Sequence, residues 1–262
     1  DRRKVTVPDL GSWKSQGRRM TMITAYDFTF ARLVDLAGID MILVGDSVGM
    51  VVQGTDNTLA VDLQEMAYHV RCVARANTKA LVVGDLPFGS YESSPELALA
   101  TSTRFFKEAG AMAVKLEGAH LETVKKLVSV GIPVMGHLGL TPQSLHQLGG
   151  YRVQGRTDGD VILAAALELE KAGAFAIVLE LVPAELAARI TAALKIPTIG
   201  IGAGVNCDAQ VLVWTDLMGM GKSAPKLAKA YRNLRVEMLA ATKEWADDVV
   251  GGVFPGPEQT FN

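Results

Sequence analysis

The sequence predicts an α/β fold, a single (β/α)8 TIM barrel over residues 1–262 with short N- and C-terminal extensions. Short apolar runs alternate with helix-like segments along nearly the whole chain, and roughly eight such units fit the usual length of this barrel. The runs show little alternation of apolar and polar residues, which is typical of parallel strands that helices cover on both faces. A doubly wound parallel sheet is the competing fold.

The predicted strands are apolar runs, and several of them end in an acidic residue. MILVGDS and LVVGD lead into aspartates, whereas MAVKLE and FAIVLE lead into glutamates. In chain order, the strands cover residues 20–26, 41–47, 80–86, 111–117, 133–138, 175–181, 196–201 and 209–214. The recurring pattern of helix end, glycine, strand and acid favours one repeated β/α architecture over two unlike domains.

Helices are expected between these strands, and the segment 95–109 has the clearest end signals. Ser94 can cap its first turn, Pro95 suits the first helical position, and Gly110 suits the position after the last turn. The segment 121–130 carries a stripe of leucine and valine residues and also ends at a glycine. Both segments fit amphipathic helices on the outside of a barrel.

Composition argues against several classes of function. The formal net charge is -2 and the sequence pI is about 6.1, without long blocks of like charge, so nucleic acid and membrane surfaces are not expected partners. Cys72 and Cys207 are the only cysteines and lie outside any CxxC motif, which argues against a disulfide framework or a structural zinc site. The N-terminal DRRKVTVPDL lacks the apolar core of a signal peptide, so we expect a cytoplasmic protein.

Polar residues recur where the predicted strands end. They are Asp46, Asp85, Glu117, His137 and Glu180. Barrel enzymes carry their chemistry at the carboxyl ends of the strands, and alternation along a strand places Lys115 and Glu117 on the same face. If these faces point inward, several carboxylates converge on one pocket, where they repel one another and lose solvation. A hard divalent cation would offset both effects, although a single acid after a strand is more often a helix cap or a loop residue.

Longer stretches of the chain match the motifs of one known family. They are MITAYDFTFARLVDLAG, LVGDSVGMVVQGTDNTL, VVGDLPFGSY, AVKLEG, PVMGHLGLTPQS, LEKAGAFAIVLELVP, IGIGAG and GGVFP. Because these motifs occur in this order, the chain resembles the ketopantoate hydroxymethyltransferase family. The resemblance implies a (β/α)8 barrel that uses Mg²⁺ and transfers a hydroxymethyl group from 5,10-methylenetetrahydrofolate to 3-methyl-2-oxobutanoate. It further implies a Mg-stabilised enolate and 2-dehydropantoate as the product, on the route to pantothenate and coenzyme A.

The resemblance also assigns roles to residues of this chain. The metal residues it implies are Asp46, Asp85 and Glu117, for one Mg²⁺ per subunit. The substrate-binding residues it implies are Ser47, Asp85, Lys115 and His137. Glu180 matches the family's acid–base position, and its apolar approach FAIVLE favours a raised pKa. The family commonly assembles as a homodecamer, so a homo-oligomer is expected.

Each assignment has a simpler structural alternative. Ser47 could cap the loop that follows its strand, and His137 could be a hydrogen-bonded structural residue. Glu117 could serve only in an ion pair with Lys115, and Glu180 only in an ion pair with a nearby cation such as Arg189 or Lys195. These alternatives predict different partners for the same side chains, so the structure can separate them.

Two other functions are compatible with a barrel of this kind. One is a Mg²⁺-dependent lyase or mutase acting on other 2-oxo acids, as in the phosphoenolpyruvate mutase and isocitrate lyase superfamily. No cysteine is suitably placed for the lyase chemistry, because Cys72 is predicted to lie in a core helix. The other is a barrel that only binds a metabolite, against which the intact set of polar strand-end residues argues.

Overall fold

The computed structural model describes residues 2–76 and 78–261, and the chain divides into two compact units, one ending at Val213 and one beginning at Trp214. The single domain predicted over residues 1–262 stays a prediction. In the second unit, the helix Leu234–Val250 buries none of its side chains. A helix without a buried stripe contributes no apolar core, so the core lies in the first unit.

The first unit is a closed parallel barrel. Its strands are β1 (Met20–Thr24), β2 (Met41–Val44), β3 (Leu81–Asp85), β4 (Ala113–Lys115), β5 (Val134–Gly139), β6 (Ala176–Glu180), β7 (Thr198–Ile201) and β8 (Ala209–Leu212). Each strand pairs in parallel with its neighbours in chain order, and β1 also pairs with β8. Closure confirms the predicted barrel and excludes the doubly wound sheet.

The observed strands lie within the predicted apolar runs or overlap them closely, but most are shorter. For example, β2 ends at Val44 where the prediction continued to Ser47, and β4 ends at Lys115 rather than Glu117. In both cases the polar residues at the end have left the hydrogen-bonded ladder. The carboxyl ends of the strands therefore release short polar segments at one rim of the barrel.

Helices alternate with the strands in the first unit. They are α1 (Val7–Ser15), α2 (Phe28–Leu36), α3 (Leu63–Arg75), α4 (Pro95–Arg104), α5 (Leu121–Ser129), α6 (Leu145–Leu148), α7 (Gly159–Ala172) and α8 (Ala184–Ala193). The second unit contains α9 (Trp214–Leu217) and α10 (Leu234–Val250). Ser94 caps α4 by accepting a hydrogen bond from the Leu97 N–H at 3.1 Å, as predicted. None of the helices in the described ranges combines the length and apolarity needed to span a membrane.

A wider helical turn continues α4 and brings it close to the barrel. The π-helix Phe105–Ala109 follows α4 directly and ends at Gly110, which has a φ of 79°. A Cβ atom at Gly84 would lie 2.7 Å from Cδ2 of the buried Phe105. Only glycine allows this approach, and it occurs one residue before the strand-end Asp85.

Candidate active site

A pocket at the carboxyl ends of the barrel strands contains every site residue predicted from the sequence. These residues are Asp46, Ser47, Asp85, Lys115, Glu117, His137 and Glu180. The remaining lining is largely apolar and includes Leu43, Met50, Val178, Ile201 and Val211. The arrangement combines a group of charged side chains with an apolar wall, as small-molecule sites commonly do.

Asp46, two residues beyond β2, and Asp85, the last residue of β3, are in direct contact. The backbone N–H of Asp46 donates a hydrogen bond to Asp85 Oδ2 at 3.2 Å. The other oxygen of Asp85, Oδ1, lies 2.7 Å from Lys115 Nζ. Both aspartates are buried, at 4% and 1% exposure. The structure therefore brings together the two carboxylates that the sequence assigned to one metal.

Lys115, the last residue of β4, and Glu117, two residues later, both enter the pocket, as their spacing in the sequence predicted. Glu117 Oε1 lies 3.9 Å from Lys115 Nζ, at the limit of an ion pair, while Asp85 is much closer to the lysine. A simple Lys115–Glu117 salt bridge therefore does not account for either residue. Their shared face confirms the strand register used in the prediction.

His137 lies between two carboxylates. Its Nδ1 is 3.5 Å from Glu117 Oε1, and its Nε2 is 3.3 Å from Glu180 Oε2. Burial and the charge of Lys115 oppose protonation of the ring, but the contacts with Glu117 and Glu180 outweigh them and raise the pKa of His137 to about 9. Although Lys115 Nζ is 3.3 Å from Nδ1, the flanking acids favour a protonated imidazole.

Glu180 and Ser47 do not have the partners that their structural alternatives predicted. Glu180 faces His137, whereas Arg189 pairs with Asp160 at 2.7 Å. The hydroxyl of Ser47 lies 2.8 Å from the hydroxyl of Tyr26, which follows β1. Both side chains therefore belong to the pocket rather than to an ordinary surface ion pair or a loop cap.

Burial shapes the electrostatics of the cluster. Burial, followed by the charges of Asp85 and Glu117, raises the pKa of Asp46 well above its usual range. Burial also raises the pKa of Asp85, although the charge of Lys115 opposes this effect. Burial would lower the pKa of Lys115, but the charges of Asp85, Glu117 and Asp46 outweigh it and raise this pKa. The lysine is therefore cationic at neutral pH.

The pocket holds more acids than cations. Four carboxylates line it, together with one lysine and one histidine. With all of these groups charged, four negative charges oppose two positive ones, which leaves an excess of two negative charges. Such an excess matches one divalent cation, and a bound cation would favour the ionised form of the nearby aspartates.

The chemistry of the donor set fits Mg²⁺. In residues 2–76 and 78–261, no group of three or more His, Cys, Asp or Glu side chains has the spacing of a metal site. Mg²⁺ does not require one, because it commonly binds through one or two carboxylates and keeps several waters. Asp46 and Asp85 can supply that pair. Glu117 Oε1 is buried and accepts no hydrogen bond from the described residues, so it can accept one from a metal-bound water.

Two polar residues at the cluster were missed by the sequence analysis. Gln143 and Tyr91 are buried. The side chain of Gln143 contacts the Asp46 carboxylate, and the Tyr91 hydroxyl contacts the Glu117 backbone and the Gln143 side chain. Gln143 lies in TPQS, a part of the fifth-strand motif from which only His137 was selected. This motif was the signal in the sequence that could have identified Gln143. For Tyr91 the corresponding signal was its place at the end of the motif VVGDLPFGSY.

Gly139 allows β5 to pack against the backbone that carries Glu180. Its φ is 90°, and a Cβ atom there would lie 2.3 Å from the Glu180 carbonyl oxygen and 2.5 Å from Val182 Cγ2. We expect Gly139→Ala to lower the free energy of unfolding by roughly 2–4 kcal/mol, from backbone strain and overpacking together. Urea denaturation followed by circular dichroism measures this loss.

Gly131 provides the matched control for that substitution. Its φ is 87°, but a Cβ atom there would meet nothing within 4 Å. Gly131→Ala is therefore expected to cost only the strain of the left-handed backbone, roughly 1–2 kcal/mol. Equal losses in the two variants would show that the contact with the Glu180 backbone is not what requires Gly139.

Comparisons with known proteins agree on one family. The family profile described as ketopantoate hydroxymethyltransferase matches residues 4–257. A protein of Moorella thermoacetica named 3-methyl-2-oxobutanoate hydroxymethyltransferase is 55% identical over 265 residues, covering 99% of this chain and 98% of its own. A protein of Frankia alni with the same name is 54% identical over 264 residues, covering 99% of this chain and 87% of its own.

Solved structures extend the comparison at the level of the fold. A 2,3-dimethylmalate lyase of the PEP mutase/isocitrate lyase superfamily aligns with a TM-score of 0.62 and 16% identity, covering 98% of this chain and 92% of its own. A phosphonopyruvate hydrolase in complex with oxalate and Mg²⁺ aligns with a TM-score of 0.63 and 12% identity, with the same coverage of 98% and 92%. At these identities the likeness concerns the barrel alone.

Proposed function

Because the chain belongs to the ketopantoate hydroxymethyltransferase family, we propose that it transfers a hydroxymethyl group from 5,10-methylenetetrahydrofolate to 3-methyl-2-oxobutanoate. The product is 2-dehydropantoate, a precursor of pantothenate. One observation supports the proposal most directly: a candidate base, two cationic side chains and a carboxylate pair line one pocket. This set matches the needs of proton removal beside a ketone followed by carbon–carbon bond formation.

The proposed reaction has a defined balance of atoms. A base removes the proton from C3 of the oxo acid, and the resulting enolate forms a bond to the methylene carbon of the folate. The two bonds from this carbon to the folate nitrogens break, and a water molecule supplies the hydroxyl group. Tetrahydrofolate leaves with one new hydrogen on each nitrogen, one from C3 of the oxo acid and one from the water. The residues of the chain must therefore bind a 2-oxo acid, hold a base near C3 and keep the enolate from other reactions.

Glu180 is the proposed base. Its side chain is 16% exposed, more than the other acids of the cluster, so it can reach a bound substrate. His137 Nε2 lies 3.3 Å from its Oε2 and can hold the carboxylate in one orientation. A carboxylate held at the edge of the charged cluster can take the C3 proton and later return it to a leaving nitrogen.

The other charged residues are proposed to bind the oxo acid and the metal. Asp46 and Asp85 would hold Mg²⁺, and Glu117 would contact its water shell. When bound, the ion supplies Lewis-acid polarisation of the ketone. Lys115, cationic and buried, contributes positive charge beside the oxo acid, and the hydroxyl of Ser47 can donate to the substrate carboxylate.

The apolar wall of the pocket fits the branched carbon chain of 3-methyl-2-oxobutanoate. Leu43, Val178, Ile201 and Val211 line the site from four strands or strand ends. An isopropyl group placed against these side chains would lose contact with water, which favours binding by roughly 0.8 kcal/mol for each buried CH₂. The wall would also keep water from the enolate.

A turnover assay tests the proposal against its alternatives. With Mg²⁺, 3-methyl-2-oxobutanoate and 5,10-methylenetetrahydrofolate, we expect 2-dehydropantoate to form, and mass spectrometry detects it. Omitting the folate should abolish product formation. Cleavage or rearrangement of a 2-oxo acid without folate would favour a lyase or mutase, and binding without turnover would favour a protein that only holds the metabolite.

A further inference from the structure

We propose that Gln143 is a positioning residue for the carboxylates of the active site, and that Tyr91 orients its side-chain amide. Neither residue is among those that line the pocket, so neither is assigned a contact with substrate. The inference rests on the function proposed above and deepens it by naming residues that act through Asp46 and Glu117.

Gln143 contacts two of the acids at once. Its Nε2 donates hydrogen bonds to Asp46 Oδ2 at 2.9 Å and to the Leu86 carbonyl at 3.0 Å. Its backbone N–H donates to Glu117 Oε2 at 2.9 Å. Both amide hydrogens and the backbone hydrogen are therefore engaged. The residue connects the chain segments that follow β2, β3 and β4.

Tyr91 determines which way the amide faces. Its hydroxyl lies 2.5 Å from Gln143 Oε1 and also accepts a hydrogen bond from the Glu117 backbone N–H at 3.2 Å. The phenol has one hydrogen, and it is directed to the amide oxygen, because the other acceptor, the Glu117 carbonyl oxygen, is farther away at 3.4 Å. With Oε1 held in this way, the NH₂ group of Gln143 must face Asp46.

This arrangement selects the oxygen with which Asp46 can bind a ligand. Because Nε2 of Gln143 occupies Oδ2, the other carboxylate oxygen, Oδ1, is left for a cation. Gly45 and Ser47 flank Asp46 in a short segment beyond β2, where the ladder no longer holds the backbone. The amide thus limits rotation of a carboxylate whose backbone lies outside the sheet.

A neutral amide suits this position better than a charged group. It donates to the Asp46 carboxylate and to the Leu86 carbonyl without adding charge, so it stabilises a buried carboxylate oxygen and preserves the negative potential that attracts a cation. A glutamate at this position would add a further negative charge beside Asp46 and Glu117. A lysine would instead neutralise the negative potential that attracts a cation. Polar groups behind metal ligands commonly act in this way, and their loss costs roughly 10- to 100-fold in metal affinity or activity.

Pro142 helps to place Gln143. The two residues open the short 3₁₀ turn Pro142–Ser144, which comes three residues after the end of β5. Proline restricts the backbone at the start of the turn, and the next N–H is the one that bonds Glu117. The turn after β5 therefore carries the donor for Glu117 and the amide for Asp46 together.

The substitution Gln143→Met tests the inference, because it keeps the length of the side chain and removes the amide. With Mn²⁺ as the probe for the metal site, we expect its affinity, measured by electron paramagnetic resonance, to fall roughly 10- to 100-fold. The value of kcat should fall by a similar factor. The Mn²⁺ measurement needs no turnover, so it separates metal positioning from a general loss of activity.

Gln154→Met is the matched control. Gln154 lies in the same connection between β5 and α7, but its Nε2 donates to the Arg152 carbonyl at 2.9 Å. This variant should keep wild-type Mn²⁺ affinity and kcat. The inference would be overturned if Gln143→Met kept the wild-type Mn²⁺ affinity. It would also be overturned if Gln143→Met lost thermal stability while its Mn²⁺ affinity and kcat stayed unchanged.

Tyr91→Phe removes a single oxygen atom and keeps the test independent of how well Gln143→Met folds. We expect a several-fold loss of Mn²⁺ affinity, and the double variant should be no worse than Gln143→Met, because coupled residues are not additive. Additive losses would refute the role of Tyr91. If the wild-type protein shows no turnover with folate, the proposed function is refuted. If the wild-type protein is active and Gln143→Met keeps its Mn²⁺ affinity and kcat, only the positioning role is refuted.

Discussion

Asp85→Asn is expected to weaken Mg²⁺ binding and to lower turnover by roughly 10²-fold or more, since Lewis-acid stabilisation supplies several kcal/mol. The substitution removes one of the two carboxylates at the ends of neighbouring strands. Asparagine keeps an oxygen that can accept from Lys115 Nζ, now 2.7 Å from Asp85 Oδ1, so the barrel should stay folded. Titration calorimetry with Mg²⁺ and steady-state kinetics measure the two effects.

Asp40→Asn is the control for loss of a buried aspartate. Asp40 is 3% exposed and immediately precedes β2, at the opposite end of the barrel strands from the pocket. It pairs with Arg18 at 2.5 Å and accepts from the Thr21 N–H at 3.0 Å. This variant should lose stability and keep its Mg²⁺ affinity. Unchanged Mg²⁺ affinity in folded Asp85→Asn would remove Asp85 from the metal assignment.

Glu180→Gln is expected to separate the base from the metal. Glutamine keeps the shape and can still contact His137, which lies 3.3 Å from Glu180 Oε2, but it cannot accept the C3 proton. Binding of Mg²⁺ and the oxo acid should persist, while turnover falls by roughly 10²-fold or more, within the usual range for losing a general base. In the absence of folate, the rate at which the C3 hydrogen exchanges with deuterated solvent should fall by the same factor. Proton NMR measures this rate.

Glu170→Gln tests whether any glutamate of this barrel would give the same result. Glu170 Oε1 accepts from the backbone N–H groups of Lys195 and Ile196, at 2.6 and 2.9 Å, and it does not line the pocket. Exchange should proceed at the wild-type rate in this variant. If Glu180→Gln also exchanged at that rate, the base would have to be another group, with Glu117 the next acid to replace.

The strand positions could be predicted because their signals are local. An apolar run of β-rich residues marks a buried parallel strand, and the two-residue period along the predicted strand 111–117 places Lys115 and Glu117 on one face without knowledge of any other segment. Ser94 and Gly110 likewise mark the ends of a helical segment through bonds and dihedral angles within one turn. The barrel and the polar residues at the strand ends followed from these signals, whereas Ser47 and the roles of the residues came from the family resemblance.

The strand ends and the domain division required the tertiary structure. Val44 ends β2 because pairing with β3 ends there, and a ladder requires two strands. In α10 no side chain is buried, and its sequence alone did not reveal this.

The sequence by itself determined which residues sit at the carboxyl ends of the strands, because chain order and side-chain alternation are properties of a single segment. Only the tertiary structure decided what those residues touch. His137 lies between Glu117 and Glu180, and Gln143 reaches Asp46 across 97 positions in the chain. No local pattern specifies such a contact, because closure of the barrel sets the distance between loops that follow different strands.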